Sequence, residues 1–377
     1  MTTTVIIRNR QAKLAHALET AGLDALALNP GPSLVYLTGL HFHLSERPIV
    51  VLFTPGKAPA VVLPGFESIK LDGLGFEVQD FGYEEDPLDW ARAFAGGAHA
   101  AGIAGKRVGV EPRQMRLLET GFMEEAAATA KWVPAEDLIA GLRMYKDETE
   151  AAAMRAAARL AEQALEATLP QVRPGMDERE LAGELVVQML RLGSNPRMPF
   201  SPIVASGPNS ANPHATPSER KIREGDLLLF DWGAAVDDYF SDITRTFAIG
   251  EVEPELAKIA GIVKAANTAA REAAGPGVPM QTVDRAARDV IASAGYGDFF
   301  THRTGHGLGM EGHEEPYIRG DNPQLLQPGM TFTIEPGIYL PGRGGVRIED
   351  DVMVTEEGLE SFTDLNRELI HLPLVEA

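Results

Sequence analysis

No cysteine occurs among the 377 residues. Disulfides and thiolate metal sites are thereby excluded, and the chemistry fits a reducing compartment such as the cytoplasm. Positive charge is scarce: 34 Lys and Arg stand against 54 Asp and Glu, a formal net charge of −20. Such a surplus repels phosphate backbones and anionic lipid surfaces, which argues against nucleic-acid and membrane partners. Long apolar runs are also missing, and none approaches the roughly 18 residues of a membrane span. The opening stretch MTTTVIIRNRQAKLAHALE has neither the apolar core nor the cleavage pattern of a signal peptide. What remains, 44% hydrophobic and 23% charged, is the composition of a globular protein with room for two domains.

Against that background five metal-binding side chains stand out in the second half: Asp231, Asp242, His306, Glu335 and Glu349. They sit in the contexts DWG, SDITRT, THRTGHGLG, TIEPG and VRIED. Four carboxylates balance the four positive charges of two divalent cations, so a filled site is close to neutral. An empty one concentrates like charge and raises carboxylate pKa values. Oxygen-rich ligation with one imidazole suits Mn²⁺ first, with Co²⁺, Zn²⁺ or Fe²⁺ also able to bind.

The same region reads as an internal duplication. EGDLLLFDWG (Glu224–Gly233) and PGMTFTIEPG (Pro328–Gly337) each place a carboxylate six residues after a Gly, with a second Gly two residues on. Upstream, Pro174-Gly175 and Pro276-Gly277 each precede an amphipathic stretch and follow an Ala-rich helical run. The copies are offset by roughly one hundred residues, and each supplies one strand carboxylate followed 11 or 14 residues later by another. Leu227–Phe230 is continuously apolar, as in a strand buried on both faces. Asp231 and Asp242 are equidistant from a turn near Val236–Asp237. In an antiparallel hairpin they are expected opposite or nearly so, with Cβ atoms roughly 5 Å apart. The turn lacks the Asn-Gly signature, so a longer loop or a bulge is expected there.

Three histidines, His302, His306 and His313, fall in HRTGHGLGMEGHEEP beside Glu314 and Glu315. The glycines prevent a regular helix and let backbone pass close to a metal or substrate. His306 is the ligand choice, since neutral imidazole suits borderline divalent ions. His214 lies on a loop 17 residues before Asp231, where spacing alone does not separate a site residue from a solvated one.

HRTGHGLG followed by GHEEP, TIEPG and VRIED resembles the metallopeptidase family that contains methionine aminopeptidase, aminopeptidase P and prolidase. The likeness runs from about Arg143 to the C-terminus. It implies a pita-bread catalytic fold in which Asp231 chelates one ion, Asp242 and Glu349 bridge, and His306 and Glu335 hold the second. It also assigns His214 and His313 to substrate binding and transition-state stabilisation near the metals, with His302 beside them. Creatinase shares that fold without the ligand set, and this chain retains every ligand.

About 135 residues precede this module, alternating strand-like runs (Ala25–Leu28, Ile49–Phe53, Ala60–Leu63, Val108–Val110) with helical ones (Asn9–Ala21, Asp89–Ala98). The expected organisation is an α/β domain of the creatinase/prolidase type over 1–135, a linker over 136–147, and an α+β pita-bread domain with pseudo-twofold duplication over 148–377. The stretch Tyr36–Pro48, with His41, His43 and Arg47, looks like the family's N-terminal loop, which in dimeric relatives approaches a partner's site. The histidines' i, i+2 spacing would put both on one face of a strand and leaves a third metal as an alternative.

Two metals would lower the pKa of a water held between them and present hydroxide to a scissile carbonyl at neutral pH. His313 or His214 would stabilise the oxyanion, and Glu335 would relay a proton to the leaving nitrogen, as the resemblance implies. Proline's nitrogen carries no N–H, so a site that makes no hydrogen bond there tolerates it. Thr244, Arg245 and Arg347 are candidate supports for the carboxylates or substrate, Tyr239 and Tyr317 candidate pocket liners, and Arg319 a candidate carboxylate binder. Ligand spacings of 11, 64, 29 and 14 are compact and resemble small prokaryotic prolidases. The resulting expectation is an Xaa-Pro dipeptidase; the alternative, acting on longer peptides, is an Xaa-Pro aminopeptidase. Another small-amide hydrolase or a metal-free creatinase-like protein stands further off. The resemblance also implies a homodimer.

Overall fold

The computed structural model describes residues 3–173 and 175–373, so Pro174 of the first Pro-Gly pair lies outside the described residues. The chain divides into two units, Met1–Arg143 and Met144–Ala377.

In the first unit α1 (Thr3–Ala21), β1 (Ala25–Leu28), α2 (Pro32–Thr38), β2 (Val50–Phe53), β3 (Ala60–Pro64), β4 (Gln79–Tyr83), α3 (Pro87–Ala101), β5 (Arg107–Val110), α4 (Leu117–Ala126), β6 (Lys131–Pro134) and α5 (Glu136–Arg143) follow in order. The strands form one sheet in the order β4-β3-β2-β1-β5-β6. β1, β2 and β3 are buried along their whole length, which explains their unbroken apolar runs. Residues 136–147, expected as a linker, instead contain α5. Ile139 and Leu142 lie three apart on its buried face, and Tyr36 donates to the Leu142 carbonyl at 2.8 Å. His41 and His43 lie in an irregular stretch rather than a strand, so the i, i+2 spacing gives them no common face. Arg47 pairs with Glu46 and Glu85 within the same unit.

The second unit repeats one motif. Its first half runs α6 (Glu148–Thr168), α7 (Glu178–Arg191), β7 (Ile203–Ser206), β8 (Leu227–Trp232), β9 (Ala235–Val236), β10 (Tyr239–Phe240) and β11 (Ile243–Ile249). The second runs α8 (Pro254–Ala273), α9 (Met280–Ser293), β12 (Gly305–Gly307), β13 (Glu314–Ile318), β14 (Thr331–Ile334), β15 (Gly337–Leu340), β16 (Gly344–Arg347) and β17 (Asp350–Val354), with β18 (Leu359–Ser361) and β19 (Ile370–Leu372) closing the chain. The starts of α6 and α8, α7 and α9, β7 and β12, β8 and β14, and β11 and β17 differ by 106, 102, 102, 104 and 107 residues. So constant an offset, across helices and strands in the same order, is the imprint of a duplication. Gly225 and Gly329, 104 apart, both take left-handed φ (+85° and +88°) at the turn before the central strand.

Each half centres its own sheet, ordered β19-β11-β8-β7 and β13-β12-β14-β17-β18, with the C-terminal β19 joining the first half's sheet beside β11. Each sheet is centred on a long hairpin that breaks once. In the first, Asp231 faces Thr244 between β8 and β11, and beyond the break Val236 faces Tyr239 on the same register. In the second, Ile334 faces Asp350 and, past the break, Gly337 faces Arg347, again in one register. Asp242, Glu335 and Glu349 adjoin the breaks, and Asp231 lies one residue short of the first.

This register refines one expectation and corrects another. Asp231 stands opposite Thr244, so Asp242 is its diagonal neighbour on the same face, not its direct partner. The turn is centred one residue later than the spacing suggests, on Asp237-Asp238. Both have positive φ (48° and 67°), the requirement of a tight two-residue type I′ turn, so no longer loop or bulge is present. Aspartate tolerates this region without the Gly that would have signalled it.

Candidate metal centre

The two broken hairpins bring the five ligand-type residues together. Asp231, Asp242 and Glu349 present carboxylate oxygens within 4.8 Å of one another, as do the ligand atoms of His306, Glu335 and Glu349. Glu349 belongs to both trios. Asp242 lies between them, with Oδ2 3.6 Å from His306 Nε2, which is itself 3.5 Å from Glu335 Oε1. The set can therefore hold two cations side by side.

The backbone explains how His306 gets there. β12 lies between β13 and β14, and its ladder shifts register between His306 and Gly307. A Cβ on Gly307 would stand 2.2 Å from the Glu315 carbonyl oxygen, so only glycine allows this close crossing. His306 Nδ1 lies 3.1 Å from the Gly307 carbonyl, which accepts its proton and leaves Nε2 with its lone pair toward the carboxylates. Thr333 accepts from the His306 amide.

The electrostatics are those of a site that calls for positive charge. Burial, then the charges of Glu349, Asp231, Asp351 and Glu335, pushes Asp242 well above the usual carboxylate range. Burial and Glu335 do the same to Glu349. Burial lifts Glu335 to about 7 although Arg347 opposes it, and lifts Asp231 against the pull of the same arginine. Burial holds His306 well below its usual value, with His313 adding to the effect. Asp231 Oδ1 is buried without a hydrogen-bond partner among the described residues. An orphaned carboxylate oxygen beside two other buried carboxylates and the partly buried Glu335, with one imidazole lone pair facing them, fits a pair of hard or borderline divalent cations.

Around the ligands lies a hydrogen-bonded frame. Arg347, 3% exposed, donates to Asp231 Oδ2 at 2.5 Å, to Thr244 Oγ1 at 3.0 Å and to the Tyr339 hydroxyl at 3.0 Å. Thr244 in turn donates to Glu349 Oε2 at 2.6 Å, and Asp351 accepts from the Asp242 amide at 3.0 Å. Each half thus steadies a carboxylate-bearing residue of the other. Three consecutive acids face three settings. Glu349 faces the centre, while Asp350 points away to Arg245 and Arg367, which hold it below the usual range despite its burial. Burial drives Asp351 well above that range.

The remaining candidates occupy distinct places. His302 Nε2 lies 2.8 Å from the Tyr339 hydroxyl, and its Nδ1 is 3.8 Å from Glu335; burial depresses it to about 4. His313 is exposed, with its ring centroid 4.0 Å from that of His306 and a place beside Asp242 and His306 in a third ligand trio. His214 is exposed, on the loop after β7, and its amide donates to Asn212. A candidate support, a candidate pocket liner and the candidate carboxylate binder turn their side chains away from the ligand carboxylates. Arg245 reaches Asp350 because alternate strand residues face opposite ways, yet it also donates to the Glu349 carbonyl at 2.7 Å and so braces the backbone of that residue. Tyr239 donates to Glu150 at 2.6 Å within the core, and Arg319 pairs with Asp321 on the surface. Tyr317 lies under the Arg303 guanidinium, 4.4 Å away.

Sequence reasoning missed Tyr339, Asp351, Asp284 and Lys146. Asp284 in α9 accepts from the amide and hydroxyl of Thr304, fixing the chain that enters β12. Lys146 forms a buried pair with Glu314 at 2.7 Å beside His313, so Glu314 braces that loop and does not join the ligands. Most of these contacts span tens of residues or more, beyond the reach of local spacing.

Residues 152–356 match the model of metallopeptidase family M24, and residues 10–145 match the creatinase/prolidase N-terminal domain. The probable dipeptidase PepE of Mycobacterium tuberculosis is 39% identical over 376 residues, covering 98% of this chain and 97% of that protein. A dipeptidase structure from Pyrococcus horikoshii superposes with a TM-score of 0.89 at 40% identity, covering 96% of this chain and 100% of the other. A recombinant prolidase from Thermococcus sibiricus gives 0.91 at 36% identity, covering 97% and 99%.

Proposed function

The chain belongs to metallopeptidase family M24, with a creatinase/prolidase N-terminal domain and a pita-bread catalytic domain, and from that premise we propose that it is a dimetal Xaa-Pro dipeptidase, a prolidase. The observation that carries the reading is the sharing of Glu349 between two ligand trios, with Asp242 between them. Asp231, Asp242, His306, Glu335 and Glu349 are the proposed ligands. Two divalent cations held there would polarise the scissile carbonyl and acidify a water toward neutrality.

The chain's own groups would do the rest. Glu335 would take the proton of the attacking water and return it to the leaving proline nitrogen, a nitrogen with no N–H for the site to satisfy. His313 and His214, at the open side, would bind the substrate, and His313, its ring 4.0 Å from that of His306, would donate to the developing oxyanion, an interaction worth about 3–4 kcal/mol if well placed. His302 and Arg347 would support substrate and ligand geometry through Tyr339 and Asp231.

Manganese is the proposed resident ion, with Co²⁺ or Zn²⁺ as substitutes, because four of the five ligands are hard oxygen donors. The proposed state is a homodimer in the cytoplasm; the lack of cysteine supports a reducing location. No helix of the described residues is long and apolar enough to cross a membrane.

The deciding experiment strips the metals and follows hydrolysis of Ala-Pro, Ala-Pro-Ala and Met-Ala-Ser with and without added Mn²⁺. Metal-dependent cleavage of Ala-Pro alone is the expected result. Cleavage of Ala-Pro-Ala with Ala-Pro poor would instead make it an Xaa-Pro aminopeptidase. Silence on all three with two metals bound would leave the centre and remove the peptidase reading.

A further inference from the structure

Glu178, the first residue of α7, is fully buried, and it binds both ends of the loop that carries His214. One carboxylate oxygen, Oε1, accepts from the Ser206 amide at 2.7 Å and the Ser206 hydroxyl at 2.8 Å. The other, Oε2, accepts from the Ser218 amide at 3.0 Å and the Ser218 hydroxyl at 2.6 Å. Asn209 Nδ2 spans the two, at 3.1 and 3.0 Å. Residues 206–218 therefore leave one oxygen of a single carboxyl group and return to the other.

The arrangement has a built second layer. Arg220, paired with Asp226, donates to the Ser206 hydroxyl at 2.6 Å, which orients that hydroxyl's proton toward Glu178. The middle of the loop touches the frame of the metal centre: Arg347 Nη1 reaches the Pro213 carbonyl at 3.4 Å, and the Gly345 amide donates to Ser210 at 2.9 Å. His214 itself is exposed, so the position of its ring depends on the loop beneath it.

We propose that Glu178 is a positioning residue that clasps the neck of the 206–218 loop and so presets His214 for the peptide substrate. The inference rests on the reading of His214 as a substrate group. A loop closed at its neck has already lost the conformational freedom that substrate binding would otherwise have to remove. Opening the clasp therefore weakens substrate binding while leaving the metals and the bond-breaking step intact. A role in folding alone would lower stability without that pattern.

The test is a double-mutant cycle on the Mn²⁺-loaded full-length protein with Ala-Pro: Glu178→Gln, His214→Ala and both together. The amide group that Glu178→Gln introduces sets a donor against the Ser206 or Ser218 donors. Glu178→Gln should keep two metals and kcat while raising KM roughly tenfold, and should add nothing in the His214→Ala background. An unchanged KM, or KM increases that multiply in the double variant, would overturn the clasp while leaving a His214→Ala defect, and with it the substrate role, in place. If His214→Ala alone changes neither parameter, the substrate role falls and the clasp falls with it. Should Glu178→Gln fail to fold, Ser218→Ala removes one hydroxyl donor from the same neck, and the same rise in KM at smaller amplitude, absent in the His214→Ala background, is expected; no rise overturns the proposal.

Discussion

The two hairpins at the heart of the catalytic domain share a plan and differ in length past the break. The first ends after two pairs in the Asp237-Asp238 turn. The second continues for four pairs, from Gly337–Arg347 to Leu340–Gly344, before turning through Gly342. Tyr339 lies in that extension, whereas Arg347, in the first pair past the break, stands where the first hairpin has Phe240; both serve the first half's ligand, Asp231, by a direct contact or through Arg347. The second half also carries the imidazole: His306 is in β12, whereas the equivalent strand of the first half, β7, offers Ile203–Ser206. Duplication supplied two carboxylates twice, and divergence of one copy supplied what makes the site unequal. An unequal pair of cation positions would let one side present a nucleophile while the other polarises the carbonyl.

The largest test of that inequality removes one carboxylate from each half. Glu349→Gln touches both trios and should cost both metals and at least on the order of 10³-fold in kcat/KM, more than one oxyanion donor is worth. Asp231→Asn should spare the trio of His306, Glu335 and Glu349 and retain about one equivalent by elemental analysis. Equal metal loss in the two variants would erase the distinction.

Acidity sharpens the comparison next. Folding raises Glu335 to about 7, above its unfolded value near 4.3, so the metal-free folded state holds the extra proton. Its stability should fall as pH rises from about 4.5 to 7, by roughly 3 kcal/mol from this group alone. Added Mn²⁺ competes with that proton, so the rise in Tm on metal addition should grow between about pH 5 and 7.5. A metal-induced Tm shift that is flat across this range would contradict the account.

Arg347→Met then asks what the longer hairpin contributes. Loss of its bond to Asp231 should weaken metal binding about 10–100-fold in a chelator titration, with Tyr339→Phe producing a smaller loss. Comparable affinity in Arg347→Met would reduce the Arg347–Tyr339 contact to a packing feature.

The turns give the smallest effects and opposite signs. A Cβ on Gly342 meets nothing within 4 Å, yet its φ of +77° makes Gly342→Ala cost about 1–2 kcal/mol in chemical denaturation. Asp237→Gly, at a φ of 48°, should gain a few tenths of a kcal/mol.

The candidate ligands were legible because each has a local context, a strand end or glycine-rich crossing, that few other roles require. Their convergence followed from the repeat, which makes distant segments equivalent. The short type I′ turn was not legible, because two aspartates adopt left-handed φ without a glycine to mark it. That single residue of displacement makes the pair of carboxylates diagonal rather than directly opposed. α5 reads as a connector because eight residues carry little periodic signal. Asp351, Tyr339 and Glu178 were invisible for another reason. Their partners are brought near by folding, and nothing in a neighbouring residue announces them.

The reciprocal bonds between halves, Thr244 to Glu349 and Asp351 to the Asp242 amide, bind the two copies to a common history. Once a duplicated gene folds so that each copy steadies a residue of the other, neither can drift alone. A change at position 244 alters the setting of 349, and a change at 351 alters that of 242. Across descendants of such a gene, these positions should therefore vary as pairs, and the record of the ancestral doubling should persist longest at the seam between the copies.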